Sequence, residues 1–169
     1  MLWQGLNPIT YRSIYESGNK SLSGIVRELG KEAGEIYVRA MLTVGIIELS
    51  EFFNIQQNMS EQQVVLTVNL IREKYWMLKP DDFKLCFKRI MMGGFGKVYG
   101  RLDGNVIMLW LDQYLDERTL WFEEYNMQDH RKIKDSEITA MEQRERDRSS
   151  EACHFSKYAS DYITSKTKK

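Results

Sequence analysis

The sequence predicts a mainly α-helical fold: a compact bundle of about five helices with a short packed loop or hairpin, followed by a charged C-terminal arm. Three observations carry it. Ser60-Glu61-Gln62-Gln63 is a capping box, and behind it Val64, Val68, Ile71 and Tyr75 fall on one helical face. Pro80-Asp81-Asp82 is a second helix start, with proline where no N–H is needed and carboxylates at the positive end of the dipole. Phe83, Phe87 and Ile90 then repeat at four and three, with Cys86 beside them.

In chain order, residues 1–20 carry Gly5, Pro8, Gly18 and Asn19 among scattered aromatics. They read as an irregular lead with one helical turn around Ile9 to Tyr15. Ser21 caps a short helix, Leu22 to Leu29, which Gly30 ends. From Glu32 to about Phe53 the pattern is helical again. Ile36, Ala40, Val44 and Ile47 recur at four, four and three, and Tyr37, Met41 and Phe52 widen the stripe, which is taken as the core face. Gly34 and Gly45 each cost about 1 kcal/mol against alanine inside a helix, so Gly45 is read as a mark of close packing. The polar run Asn54 to Asn58 connects to the Ser60-capped helix, which runs to about Met77.

Gly93 and Gly94 stop the Pro80 helix. Phe95 to Gly104 is apolar for a loop and is expected to pack down. Asp103 or Asn105 caps the last core helix, where Ile107, Trp110 or Leu111, Tyr114, Arg118 and Trp121 follow one another down a face. From Gln128 onward ten basic and eight acidic residues fall within forty-two, so the body is placed at 1–127 and the arm at 128–169. Near 150–165 the arm gains a short amphipathic helix, in which Ala152, Phe155, Ala159 and Tyr162 are spaced three, four and three.

Charge narrows the functional classes. The 24 basic and 24 acidic residues cancel, so there is no global footprint for nucleic acid or an anionic membrane. With 43% hydrophobic and 12% aromatic residues the chain can build a core. The most apolar stretch, Ala40 to Ile47, is too short to span a bilayer, and Met1 to Asn19 does not read as a signal peptide. Cys86 and Cys153 make no disulfide framework, so a cytoplasmic setting is expected.

No catalytic signature emerges. Gly94-Phe95-Gly96-Lys97-Val98-Tyr99 resembles part of the glycine-rich loop of protein kinases, but a helix, not a strand, leads into it. Neither a His-Arg-Asp catalytic loop nor an Asp-Phe-Gly segment exists. No cofactor and no metal is expected: His130 and His154 lack ligand neighbours at helical spacing. A helix-turn-helix fails because about twelve residues separate the two helices, where the DNA-reading motif uses three or four. Lys84, Lys88, Lys97 and Arg101, interleaved with Phe95 and Tyr99, suit at most weak, salt-sensitive binding of single-stranded nucleic acid. A protein partner is the first expectation, met by Phe155, Ala159 and Tyr162 of the arm, with Phe95 and Tyr99 of the loop.

A resemblance adds a setting. Arg27-Glu28-Leu29-Gly30-Lys31, Met59 to Gln63, Leu78 to Phe87, Gly96 to Gly104, Trp110-Leu111 and Tyr114 to Arg118 together resemble a family of small helical proteins of Bacteroides-type bacteria and their phages and mobile elements. It covers roughly Leu22 to Arg118 and is most specific in Gly96–Gly104. No activity and no catalytic residues come with it; what it implies is a phage or mobile-element setting. That family is similar in architecture to the small helical loaders and inhibitors of phage replicative helicases, which by analogy alone implies a DNA-replication accessory.

Overall fold

The computed structural model describes residues 9–53, 59–96 and 101–166, with side chains described as far as residue 149. Among these residues there are six helices and no strand element. The chain divides into two units, Met1–Trp121 and Phe122–Lys169. The boundary lies six residues before the change in composition.

Helix α1, Tyr11–Glu16, begins with a reciprocal cap: Thr10 Oγ1 accepts from Ser13 N–H and Ser13 Oγ accepts from Thr10 N–H. It falls where one helical turn was expected, around Ile9 to Tyr15; residues 1–8 of the lead lie outside the described residues. Ile14 is 1% exposed, and the Lys79 ammonium donates to the Ile14 and Ser17 carbonyls at 2.7 and 2.9 Å. A cation at a helix C-terminus satisfies carbonyls that have no partner within the helix.

Helix α2, Leu22–Leu29, starts at Ser21, whose Oγ accepts from Gly24 N–H, and ends at Gly30 with φ 85°. Its first amides are satisfied by other parts of the chain: Leu22 N–H donates to the Leu78 carbonyl and Ser23 N–H to that of Trp76. Helix α3, Lys31–Phe53, follows at once. A Cβ on Gly34 would lie 2.5 Å from Val26 Cα, so α2 and α3 meet with their backbones nearly touching. That contact selects the buried face of α3: Gly34, Val38, Leu42, Gly45, Ile46 and Leu49. The expected stripe is therefore wrong by half a turn. Ile36, Tyr37 and Ile47 are 65%, 53% and 43% exposed, Phe52 and Ala40 are also exposed, and Val44 is half-buried.

Helix α4, Glu61–Lys74, has the expected capping box and buries Val64, Val68 and Ile71, with Tyr75 at its C-cap also buried. Helix α5, Pro80–Met91, buries Phe83, Leu85, Cys86, Phe87 and Ile90 and ends where Gly93 takes φ 81°. Each such large side chain contributes roughly 1.5–3 kcal/mol of burial. Helix α6, Gly104–Lys166, is capped by Asp103, whose Oδ1 accepts from Val106 N–H at 3.0 Å. A Cβ on Gly104 would lie 2.3 Å from Thr67 Oγ1, so α6 begins hard against α4. Ile107, Trp110, Leu111 and Tyr114 are buried.

The separate short helix expected near 150–165 is instead the end of this one 63-residue helix. The physical reason is visible in the sequence: no glycine or proline follows Gly104, so nothing stops the helix. The expected hairpin falls on residues 97–100, which lie outside the described residues.

Candidate interaction surfaces

A buried polar cluster fixes the body. Asp82, 0% exposed, uses Oδ2 to accept from Lys79 N–H at 2.8 Å. Its Oδ1 accepts from the Tyr114 hydroxyl at 2.8 Å and from Arg118 Nε at 2.7 Å. The sequence marks Asp82 as a helix-start carboxylate; the fold also makes it the hinge pin between α5 and α6. Burial and the neighbouring Asp82 push the Tyr114 phenol far above its ordinary value, which keeps it a neutral donor. Next along α6, the Tyr75 hydroxyl bonds the Met108 carbonyl and Asp112 at 3.0 and 2.8 Å, while Lys74 holds Asp112 at 2.8 Å.

A second cluster centres on Arg89. Its guanidinium lies 2.5 Å from both the Tyr11 hydroxyl and Glu117 Oε2 and 5.0 Å from the centre of the Phe95 ring. Desolvation raises the Tyr11 phenol to about 12 against the opposing charge of Arg89. Phe95, expected as a partner contact, is thus half-buried beneath an arginine. Of the four basic residues expected to form a nucleic-acid surface, two are paired with carboxylates. Lys84 pairs with Asp81 at 3.1 Å and Arg101 with Asp103 at 3.0 Å, whereas Lys88 is exposed. Lys97 and Tyr99 lie outside the described residues.

Cys86 is buried, and burial pushes its thiol well above the ordinary range, so it is a poor nucleophile. In a Cys153→Ser variant, a thiol reagent at pH 8 is expected to leave the folded protein untouched and to label one thiol per chain only after denaturant. Rapid labelling of the native state would contradict burial of Cys86. Among the described residues no group of three or more His, Cys, Asp or Glu side chains could hold a metal ion. Among them, too, no helix is long and apolar enough to cross a membrane.

Among the described residues, exposed apolar side chains lie on α4 (Val65, Leu66 and Leu70), on α3 and on α6. On α3, Ala33, Ile36, Ala40 and Ile47 form an outward stripe, widened by Tyr37 and half-buried Val44. Its signal in the sequence is the same periodicity that suggested a core. On α6, every residue from Met127 to Ser149 is exposed, Met127, Ile133, Ile138 and Met141 among them. Two side-chain pairs bridge successive turns there, Gln143 with Asp147 at 3.0 Å and Arg146 with Glu142 at 3.4 Å. Phe155, Ala159 and Tyr162 belong to the same helix; their side chains lie outside the described residues. No protein-family model, curated protein or solved structure matches the chain.

Proposed function

We propose that the chain is a non-enzymatic interaction protein that acts through a protein partner captured by its arm. One observation supports this most: over residues 127–149, α6 has no buried side chain on any face. A helix gains little per residue in water and carries a nucleation cost, so most helices in proteins are held by packing an apolar face. Pairs such as Glu142 with Arg146 add only a few tenths of a kcal/mol. The stabilising contact therefore comes from another molecule, in the manner of a helix laid into a groove. Phe155 and Tyr162, spaced at seven on that helix, supply its aromatic anchors, with Ala159 between them allowing close approach.

The setting we propose is cytoplasmic, in a phage or mobile element, and the process DNA replication, as a loader or inhibitor of a replicative helicase. These rest on the family resemblance and on architecture. Nucleic acid is the weaker alternative, since Lys84 and Arg101 are each held by a carboxylate.

Phe155→Ala combined with Tyr162→Ala is expected to abolish partner capture from host extract while leaving the melting curve of the chain unchanged. Retained capture of the same partners, or a lowered melting temperature, would remove the arm from this role.

A further inference from the structure

The spacing of Ala152, Phe155, Ala159 and Tyr162 is the end of a longer pattern in the arm. Continued backward in alternate steps of four and three, it reaches Arg148, Glu145, Met141 and Ile138. One further heptad adds Lys134 and Arg131. Such a repeat is a coiled-coil seam, and all of it lies on one unbroken helix. Ile138 and Met141 are 46% and 70% exposed, with Glu145 and Arg148 exposed beyond them. The side-chain pairs of this stretch, Glu142 with Arg146 and Gln143 with Asp147, use neither of those two charges.

The charges on the seam decide what can cover it. Two arms paired in parallel would stack each charge on its own copy: Glu145 on Glu145, Arg148 on Arg148, and likewise Arg131 and Lys134. Four like-charged layers disfavour that arrangement. Antiparallel arms with a two-fold axis between Arg146 and Asp147 have none. Glu145 then falls opposite Arg148 of the second copy, twice by symmetry. Met141 falls opposite Ala152, and Ile138 opposite Phe155. Lys134 meets the small Ala159, and Arg131 meets Tyr162, a favoured combination of cation and aromatic residue.

The positions flanking the seam agree. Arg144 falls opposite Glu151, while Asp135, Glu137 and Glu142 fall opposite Ser156, Tyr158 and Ser149. Sliding the pair by one heptad sets Glu145 against Met141 in one direction and Phe155 in the other, so only one register matches. The same axis lays Lys166, where α6 ends, beside Met127, where its fully exposed stretch begins.

We infer that the arm of α6 pairs antiparallel with the arm of a second copy of this chain, in the register set by Glu145 and Arg148. The apolar layers supply adhesion. The charged layer fixes direction and register, which is the best-attested use of ionic groups inside such a seam. Each arm offers the other the same surface, so the pair closes on itself. The inference rests on the reading of α6 as an arm that captures a protein, and it names one protein captured.

Sedimentation of the full-length chain at about 0.15 M salt is expected to show a dimer that dissociates on dilution. Glu145→Arg is expected to weaken that dimer at least about tenfold, because Arg148 of the second copy then meets a like charge. Arg148→Glu is expected to do the same. Both changes in one chain are expected to restore the dimer, since the exchanged charges still match across antiparallel arms. In parallel arms neither single change would weaken the pair, and the combination would rescue nothing. A chain that stays monomeric up to about 1 mM overturns the inference. So does a dimer indifferent to the single changes, or a loss that the combination does not repair. Capture from host extract separates this pairing from the functional reading. A monomer that still captures a host protein through Phe155 and Tyr162 overturns the pairing and leaves that reading in place. A charge-sensitive dimer that captures nothing from extract supports the pairing and removes the outside partner.

Discussion

Asp82→Ala is expected to destabilise the protein by about 3–5 kcal/mol, the usual cost of breaking a buried, hydrogen-bonded charge pair from one side. Three donors converge on this carboxylate: Lys79 N–H, the Tyr114 hydroxyl and Arg118 Nε. Alanine removes the acceptor and returns none of them to water, because Asp82 itself is wholly buried. The Arg118 side chain, 13% exposed, has little solvent to fall back on. At about 2–4 °C per kcal/mol for a chain of this size, the melting temperature should drop by on the order of 10 °C. Tyr114→Phe is the graded control: it deletes one donor and should cost about 1 kcal/mol. Urea unfolding of the two variants separates the possibilities. If Asp82→Ala stays within about 1 kcal/mol of the parent, the cluster does not hold α5 to α6.

The second large effect contrasts the two faces of α3. Leu42→Ala should cost about 2–5 kcal/mol, since its side chain is fully buried and truncation leaves a cavity lined by its neighbours. Ile36→Ala, a change of similar size on the same helix, should lie within about 0.5 kcal/mol of the parent, because the removed atoms already face water. Denaturant midpoints of the two single variants decide it. Comparable losses at both positions would mean that α3 is buried all round.

That contrast shows where sequence reasoning succeeds and where it stops. The α4 and α5 helices were legible because their apolar residues occupy one face and the rest of each surface is mostly polar. Val64, Val68, Ile71, Phe83, Phe87 and Ile90 are buried as their spacing requires. Helix α3 is apolar on two opposite faces, so periodicity finds both Ile36-Ala40-Ile47 and Val38-Leu42-Leu49 with equal ease. Gly34 held the missing information, since only a backbone contact explains a glycine buried near the start of a helix. The candidate surface on α3 was thus visible in the sequence as a pattern and assigned to the wrong side. The arm was legible as a charged segment; its continuity with the last core helix was written in the absence of any glycine or proline after Gly104.

By itself, the sequence determined the helical class, the starts at Ser21, Ser60 and Pro80, and the stops at Gly30 and Gly93; for the last core helix it offered Asp103 or Asn105, and the structure selects Asp103. These are local matters: a cap or a positive φ is settled within three or four residues of chain. Tertiary structure alone decided that Asp82 serves Tyr114 and Arg118 as well as its own helix, that Lys79 closes α1, and that Ile36 and Ile47 look outward. Each of these joins or separates residues on different elements, and the free energy of such a contact depends on which faces meet. One-dimensional periodicity gives the phase of a helix; only the contacts of Gly34 with Val26 and of Glu35 with Arg72 fix which way that phase is turned.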